Sequence, residues 1–443
     1  MGRALLRFVR ERLEGLAVAL LLPFFGWCAA RRGGAAVRRA WPRWRRLLVR
    51  GLRDYRATWW IQAQLETPAC LWRYALLAEC AALMPPAGGR AAMDRMLLLC
   101  LGHIGDVLHA APGVRAFRKR RPETAVDVLV GPWSERLAAR MGCFDDILVY
   151  NPRVAQFNRG QGTRPGFRAE LASLRRVAAR RYRVVVSAGP LHFAELAVVL
   201  AARPREFRGV VPDFPLYPPS WDAAGALPFD SRMREADWIA ACLEPGAASG
   251  APYALEYPLE DAARRQAVKL LADSGVAAGA PYAVLAPGAG WPGKQWPPER
   301  FAELADWLAG KKGWRIVLAG SPGEHGLCER VRGLMKAGAL NLAGRTSLDE
   351  LAAVLERAAV FAGNDSGPMH IAAAVGTPTI TFWGPTFPEK WAPRGPRHLV
   401  VRSASPCAGC IYWHPRAACT GQPPCIETAP FEPEKLERFL GEL

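Results

Sequence analysis

Hydrophobic and polar positions follow two alternating patterns from residue 96 onward. Short apolar runs, such as Met-Leu-Leu-Leu-Cys at 96–100, are typical of strands buried on both faces of a parallel sheet. Longer stretches with helical spacing separate these runs, whereas residues 203–252 are rich in Pro and Gly and less regular. The predicted strands are 96–100, 126–130, 147–150, 184–187, 283–286, 315–319, 358–362 and 379–383. One helix is predicted between the strands 147–150 and 184–187. The other predicted helices are 106–120, 191–202, 264–274, 298–311, 326–337, 348–358, 368–375 and 433–443.

The strands and helices fall into two successive cycles. This alternation predicts α/β domains whose parallel sheets carry helices on both faces. We expect an N-terminal domain at 93–275 and a C-terminal domain at 276–430, facing each other across a ligand cleft. A helical extension at 1–92 precedes them and a terminal helix at 431–443 follows. Neither cycle has a strict G-x-G-x-x-G after its first strand, which disfavours a nicotinamide or flavin cofactor.

The stretch 360–391 predicts a strand, a turn of small and polar residues, a helix and another strand. Pro368 suits the first turn of the helix, where its missing N–H costs nothing. The free N–H groups and the dipole at such a helix start form a ready anion site. Turns of this shape are nevertheless common, most bind nothing, and His370 would serve equally well as a core histidine. The residues predicted at this site are Asp365, Ser366, Gly367 and His370.

Three more polar residues follow predicted strands. Asp106 comes after Gly105 at the first strand-to-helix turn, where it would be either a helix cap or a general base. Lys294 lies in a Gly-rich loop and would be either solvated or bound to a diphosphate. Glu324 would either cap the next helix or contact a ligand. Position alone leaves each of these alternatives open.

Three motifs are specific in combination. They are L-G-H-I-G-D-V-L-H-A-A-P at 101–112, G-A-G-W-P-G-K-Q-W-P at 288–297, and D-S-G-P-M-H-I-A-A-A-V-G-T-P at 365–378, the last followed by F-W-G-P-T. Together they resemble the motifs of the glycosyltransferase family 9 heptosyltransferases. The resemblance covers about residues 95–400. It implies a GT-B fold, with two Rossmann-like domains facing across a cleft, and leaves the α-helical extension at 1–92 outside the family core.

The resemblance also implies an inverting, metal-independent glycosyltransferase that requires no cofactor. Asp106 would be the catalytic base, with His103 and Gly105 on the acceptor side. Lys294 would contact the nucleotide diphosphate of the donor, and Glu324 would hold the ribose hydroxyls. The other residues that the resemblance places at the donor are Asp365, Ser366, Gly367 and His370.

The implied donor is ADP-heptose or a related nucleotide sugar, and the implied acceptor is a lipid-linked saccharide such as a lipopolysaccharide core. The family usually places Arg or Lys just after the first strand, where it is thought to help hold an anionic acceptor. Cys100 stands there in this chain, which leaves the acceptor open. Two other functions stay open. A non-catalytic membrane-associated nucleotide-sugar-binding protein would have no use for Asp106, and a GT-B nucleotide-sugar epimerase would not need a membrane extension.

Positive charge is concentrated at the N-terminus. The net charge is +18, and residues 1–60 hold fourteen arginines, no lysine and three acidic residues. An uncharged apolar run at 15–30 is shorter than the ~20 residues that usually span a bilayer. The Arg- and Trp-rich segment 38–64 suits an interfacial helix on anionic lipid.

These features predict that residues 1–64 contact a membrane surface, with the protein peripheral or monotopic on the cytoplasmic face of the inner membrane. Whether the apolar run spans the bilayer stays open. A plain helical cap on the core is an alternative, and a cleaved signal peptide fits poorly because the next segment is strongly basic. A nucleic-acid arm would not need the apolar run, so no nucleic-acid partner is expected.

The eleven cysteines do not form a disulfide scaffold in a chain this long, and a reducing cytoplasm is expected. Four of them cluster near the C-terminus with His414 among them. A tetrahedral structural zinc site is one interpretation of this cluster. The spacing is not that of a standard zinc finger, so a disulfide or free thiols are the alternatives, and no catalytic metal is expected. The clustered cysteines are Cys407, Cys410, Cys419 and Cys425.

Overall fold

The computed structural model describes residue 77 and residues 94–152, 166–187, 193–209, 233–246, 254–409 and 425–443. The chain divides into two compact units. Unit 1 is drawn from Met1–Leu101, Glu123–Pro132 and Asp146–Pro228, and unit 2 from Gly102–Pro122, Trp133–Asp145 and Phe229–Leu443. Apart from Leu77, the predicted extension at 1–92 lies outside the described residues.

The strands and α-helices are numbered here in chain order. They are β1 (Arg95–Cys100), α1 (Ile104–Arg120), β2 (Ala125–Val130), α2 (Glu135–Arg140), β3 (Asp146–Val149), α3 (Phe167–Ala179), β4 (Val184–Ser187), α4 (Phe193–Ala202), β5 (Glu206–Arg208), α5 (Glu235–Leu243), α6 (Asp261–Asp273), β6 (Tyr282–Ala286), α7 (Pro298–Lys312), β7 (Arg315–Leu318), α8 (His325–Leu334), β8 (Ala339–Asn341), α9 (Leu348–Glu356), β9 (Val360–Asn364), α10 (Gly367–Ala374), β10 (Thr379–Trp383), α11 (Pro388–Trp391), β11 (His398–Arg402) and α12 (Pro433–Gly441).

Each unit contains one parallel sheet. The strand order is β3-β2-β1-β4-β5 in unit 1 and β11-β10-β9-β6-β7-β8 in unit 2. Both follow the doubly wound arrangement, in which the order reverses beside the first strand of the cycle. Such folds bind ligands at the carboxyl ends of the strands where the order reverses. In unit 2 that point lies between β6 and β9.

The two cores are packed around long apolar side chains. In unit 1 the core includes Leu77, which is fully buried and belongs to the same cluster as side chains of β1, β4 and α4. In unit 2 the Trp296 ring stacks on Phe382 with 3.7 Å between centroids and 9° between planes. The Trp296 indole N–H donates to the carbonyl of Ala429 at 3.0 Å, so its polar atom is satisfied although the ring is buried.

The predicted α/β class with two parallel sheets is confirmed. The stretch 203–252, predicted to be less regular, contains β5 and α5. Strand β5 has three residues, too few for an apolar run, and α5 is surrounded by Pro and Gly. Helices α2 and α11 and strand β11 were also not predicted. The two helices are too short for a helical pattern to show in the sequence. None of the helices in the described ranges combines the length and the apolar character that crossing a membrane requires.

Candidate active site

The loop after β6 is fixed by the last residue of β9. The Asn364 side chain accepts a hydrogen bond from the backbone N–H of Trp296 at 3.0 Å. It donates to the carbonyl oxygens of Pro287 at 2.9 Å and Gly288 at 3.3 Å. All these groups are buried, so each bond satisfies a polar atom that would be costly to leave unpaired. The loop that carries Lys294 is therefore held against the carboxyl end of β9.

Lys294 forms an ion pair with Asp365, the first residue after β9. Its Nζ lies 2.7 Å from Asp365 Oδ2, and the exposed fractions of the two side chains are 20% and 8%. Burial opposes ionisation of Asp365, but the Lys294 ammonium, and then His370, hold the pKa of its carboxyl below the usual range. The structure thus joins two residues that the sequence predicted as separate donor contacts, at the strand ends where the order of unit 2 reverses.

Helix α10 begins directly after this ion pair. Ser366 is its N-cap residue, with extended backbone, and Gly367 is its first helical residue. The backbone N–H of Met369 donates to the Ser366 carbonyl at 3.1 Å. N–H groups of a first turn lack partners inside the helix and carry the positive end of its dipole. The strand ends therefore hold both a cation and a helix N-terminus, which together suit a phosphate group.

Glu324 lies against the same loop. Its Oε2 accepts hydrogen bonds from the backbone N–H and the hydroxyl of Ser321, at 2.7 and 2.8 Å. These bonds cap the 3₁₀ turn Pro322–Glu324, whereas the Glu324 side chain makes no capping bond to the following helix α8. Its Oε1 occupies the space where a Cβ on Gly288 would stand, so a larger residue at 288 would require the Glu324 side chain to move. The carboxylate thus lies both at the end of β7 and beside the loop that carries Lys294.

Helix α1 begins at Ile104, two residues earlier than predicted, so Asp106 lies in its first turn. The Asp106 carboxylate accepts a hydrogen bond from the backbone N–H of His103, the exposed N-cap residue. Gly105 packs on the imidazole of His370, because a Cβ at 105 would stand 2.7 Å from its Cδ2. The first and third sequence motifs therefore meet inside unit 2.

Two buried histidines connect α1 and α10. His109 Nε2 lies 3.2 Å from His370 Nδ1, and the two rings meet nearly edge to face at 82°. The indole of Trp391 contacts both rings, with centroid distances of 5.7 and 6.3 Å. His109 lies one helical turn after Asp106 on α1. The turn that carries Asp106 therefore packs beside the rings of His109, His370 and Trp391.

A buried ion pair completes the cluster. Lys390 Nζ lies 2.6 Å from Glu235 Oε2, and both side chains are 3% exposed. The same ammonium lies 5.4 Å from the ring centroid of Trp391. The sequence analysis singled out none of His109, Glu235, Lys390 and Trp391. His109 lies inside a quoted motif, but Glu235 falls in the stretch predicted to be irregular.

The environment shifts the pKa values of these groups. Burial, followed by the negative charge of Glu235, raises the pKa of Asp106 from 3.8 to about 7. Burial lowers the pKa of His370 from 6.5 to about 4 and that of His109 well below its usual value. At neutral pH both imidazoles are neutral, Asp365 is ionised and Asp106 is close to its midpoint. The site therefore places an ion pair and a helix N-terminus in the same unit as a carboxyl group whose pKa lies near 7.

Known proteins resemble this chain in sequence. The family described as glycosyltransferase family 9 (heptosyltransferase) matches residues 221–416. The chain is 25% identical over 329 residues to lipopolysaccharide heptosyltransferase 2 of Salmonella typhimurium, covering 70% of this chain and 88% of that protein. The chain is a glycosyltransferase, and it resembles family 9 over the matched residues.

Solved structures share the fold of this glycosyltransferase. A family 9 glycosyltransferase from Veillonella parvula matches with a TM-score of 0.65 and 20% identity, over 81% of this chain and 100% of that one. E. coli heptosyltransferase WaaC, solved with ADP, matches with a TM-score of 0.56 and 21% identity, over 79% of this chain and 99% of that one. At these identities the likeness concerns the fold.

The predicted zinc site of the glycosyltransferase stays a prediction. Cys407 is exposed and Cys425 is buried, whereas Cys410 and Cys419 lie outside the described residues. Within the described ranges, no group of three His, Cys, Asp or Glu side chains could hold a metal ion. Cys100, which stands where the family usually has a cation, is buried at the end of β1.

Proposed function

We propose that the glycosyltransferase transfers a heptose-like sugar from a nucleotide diphosphate donor to a lipid-linked saccharide, with inversion at the anomeric carbon. The observation that carries this proposal is the meeting of three groups in unit 2. Lys294 and Asp365 form an ion pair at the start of α10, and Asp106, with its raised pKa, lies in the turn packed on His370. The similar Salmonella typhimurium protein is a lipopolysaccharide heptosyltransferase, which supports a lipopolysaccharide core as acceptor.

The donor diphosphate would bind at the N-terminus of α10 beside Lys294. Negative charge grows on this group as the bond to the sugar breaks, and preorganised cations and N–H dipoles stabilise such charge. Lys294 and the first turn of α10 would supply that stabilisation, so the proposed reaction requires no metal ion. Glu324 would accept hydrogen bonds from the ribose hydroxyls. The solved WaaC structure with ADP supports an adenine nucleotide.

Asp106 would act as the general base. A carboxylate whose pKa lies near the working pH accepts a proton efficiently while remaining partly ionised. The acceptor hydroxyl would pass its proton to Asp106 and attack the anomeric carbon from the face opposite the departing diphosphate. His103 and Gly105, in the same turn, would border the acceptor. The bond to the acceptor oxygen would form as the bond to the donor phosphate oxygen breaks.

The acceptor would be reached at a membrane surface. The arginine-rich residues 1–64 would hold the enzyme as a peripheral or monotopic protein on the cytoplasmic face of the inner membrane. This placement supports a substrate that is itself embedded in lipid.

Nucleotide titration combined with a transfer assay tests the proposal. By calorimetry, the wild type should bind ADP more tightly than UDP, GDP or CMP. Lys294→Ala should weaken ADP binding by about 10- to 100-fold, since a charged contact is lost and Asp365 is left unpaired. Asp106→Asn should retain ADP affinity but lower transfer by about 10²- to 10⁴-fold.

Lys311→Ala and Asp273→Asn are the matched controls, because both residues are exposed on helices of unit 2. Both should behave as wild type. Full turnover by Asp106→Asn would remove the general base from the mechanism. A preference for UDP or GDP would discard the adenine donor, and nucleotide binding without any transfer would favour a non-catalytic binding protein.

A further inference from the structure

Two arginine pairs lie side by side at the N-terminal ends of β4 and β5. Arg181 and Arg183 precede β4, and Arg203 and Arg205 precede β5. The two strands are parallel neighbours. The backbone N–H of Arg205 donates to the Arg183 carbonyl at 2.9 Å, which places the starts of the two strands in contact. We call these four residues the arginine edge.

The arginine edge projects its side chains outward. All four arginines are exposed. The residues between them, Tyr182 and Pro204, are buried, and the Tyr182 hydroxyl donates to Asp127 at 2.7 Å. The same Arg-x-Arg pattern therefore turns the middle residue inward and the two cations outward at the start of both strands.

Few carboxylates pair with these arginines. The buried carboxylate of Asp127 is already shared with Arg95 and Arg180, at 2.6 and 3.3 Å. Asp94 pairs with Arg183. Within the part of unit 1 that the structure describes, no ion pair reaches the other three arginines of the edge.

Two of these arginines occupy backbone conformations that favour glycine. Arg181 has φ of 51° and Arg203 has φ of 47°, in the left-handed region. They follow the ends of α3 and α4, where a left-handed glycine is the common helix terminator. An L side chain is strained there. Strained arginines at both turns indicate that their side chains have a role other than stabilising the fold.

We propose that the arginine edge is a docking surface for the phosphate headgroups of an anionic lipid bilayer. Guanidinium groups bind phosphates through paired donors, and clustered arginines add to membrane attraction. The proposal rests on the membrane attachment of residues 1–64. In sequence, that basic segment precedes Leu77, which is buried in the core of unit 1. The arginine edge would be a second contact of the same unit with the same membrane.

A nucleic-acid surface fits these observations less well. Single-stranded nucleic-acid sites interleave cations with exposed aromatic rings on which bases stack. The aromatic residue within the arginine edge, Tyr182, is instead buried and bonded to Asp127. The apolar run at 15–30, which leads into unit 1, also suits lipid.

Vesicle titration of the full chain tests the arginine edge with the double variant Arg181→Gly/Arg203→Gly. Vesicles containing phosphatidylglycerol are compared with vesicles of phosphatidylcholine alone. The variant should lower the partition constant for anionic vesicles by about fivefold per arginine, roughly 25-fold in all. Its melting temperature should stay close to that of the wild type. Relief of left-handed strain offsets the freedom that glycine adds to the unfolded chain.

Arg181→Lys/Arg203→Lys keeps the charge and should retain most of the binding. Arg265→Gln/Lys269→Gln is the control for net charge, because it removes two exposed cations from α6 of unit 2 and should leave binding nearly unchanged. If the glycine variant bound anionic vesicles with wild-type affinity, or if the control lost as much affinity, the arginine edge would not be a docking surface. The membrane attachment of residues 1–64 would still stand. Absence of wild-type binding to anionic vesicles would overturn the membrane attachment itself. Release from vesicles by an oligonucleotide, through competition for the arginine edge, would overturn the lipid assignment.

Discussion

Glu235 is the charged residue that does most, after burial, to raise the pKa of Asp106. It is buried on α5 and paired with Lys390, so its charge is little screened by water. The ion pair lies outside every sequence motif, yet it sets the pH range in which the proposed base can work. In the proposed mechanism Glu235 places a negative charge near Asp106 and does not itself contact a substrate.

Transfer by the wild-type enzyme should rise with pH through about 7, because Asp106 must be ionised to accept a proton. Glu235→Gln should move this acid limb of the kcat/KM profile to lower pH, by about one unit, since a neighbouring negative charge is removed. The pH dependence of initial transfer rates measures this shift.

Asp237→Asn is the matched control, because Asp237 lies on the same helix and pairs with Arg234 instead. Its acid limb should coincide with that of the wild type. An unchanged profile in Glu235→Gln would contradict the assignment of the raised pKa to Glu235.

At this scale the sequence indicated some site residues and not others. Asp106, Lys294 and His370 could be singled out because each follows a buried strand within a motif. Glu235 and Lys390 could not, because a buried ion pair between residues far apart in sequence leaves no spacing or periodicity to detect. Local sequence also carried no sign that Lys294 and Asp365 would neutralise each other.

At the scale of elements, the end of β9 organises the donor side. Asn364 closes the strand and binds three backbone groups of the loop after β6. The loop has no regular structure of its own except the 3₁₀ turn Pro292–Lys294. Its position therefore depends on a side chain from a neighbouring strand.

Asn364→Ala should destabilise the fold and weaken ADP binding together. Each buried partner left unsatisfied costs ~1–3 kcal/mol, so the free energy of unfolding should fall by at least that much. The freed loop should also lower ADP affinity, because Lys294 loses its fixed position. Denaturant titration and calorimetry measure the two effects.

Asn341→Ala is the control for lost stability. Asn341 ends β8, is buried, and accepts a hydrogen bond from the backbone N–H of Ala343 at 2.9 Å. This variant should be destabilised but should bind ADP like the wild type. If it loses ADP affinity as Asn364→Ala does, the effect on binding reflects stability rather than the loop.

Sequence patterns located the long elements well and the short ones poorly. Strands such as β4 and β10 were predicted with the bounds that the structure has, since their apolar runs are continuous and end abruptly. Strand β9 runs from Val360 to Asn364, two residues later than predicted, because its polar final residue is paired inside the protein. Strand β5 and helix α2 depend on tertiary packing that a local pattern does not encode.

At the scale of the whole molecule, all the proposed catalytic and donor residues belong to unit 2, although Asp106 and His370 are far apart in sequence. Hydrogen exchange with and without ADP should therefore slow in the loop at 287–297, the first turn of α10 and the first turn of α1. The strands of unit 1 should be unaffected. A bound ligand suppresses opening where it contacts the protein, so exchange maps the site directly. Protection that appears only in unit 1 would contradict a donor site in unit 2.

The contact between Gly105 and His370 has a consequence for recombination between related genes. Their contact leaves no room for a Cβ at 105 unless the imidazole moves. A recombinant gene that takes its first half from one relative and its second half from another would draw the two sides of this contact from different parents. Crossovers between residues 105 and 370 should therefore succeed only between parents that match at both positions, however similar the rest of their sequences.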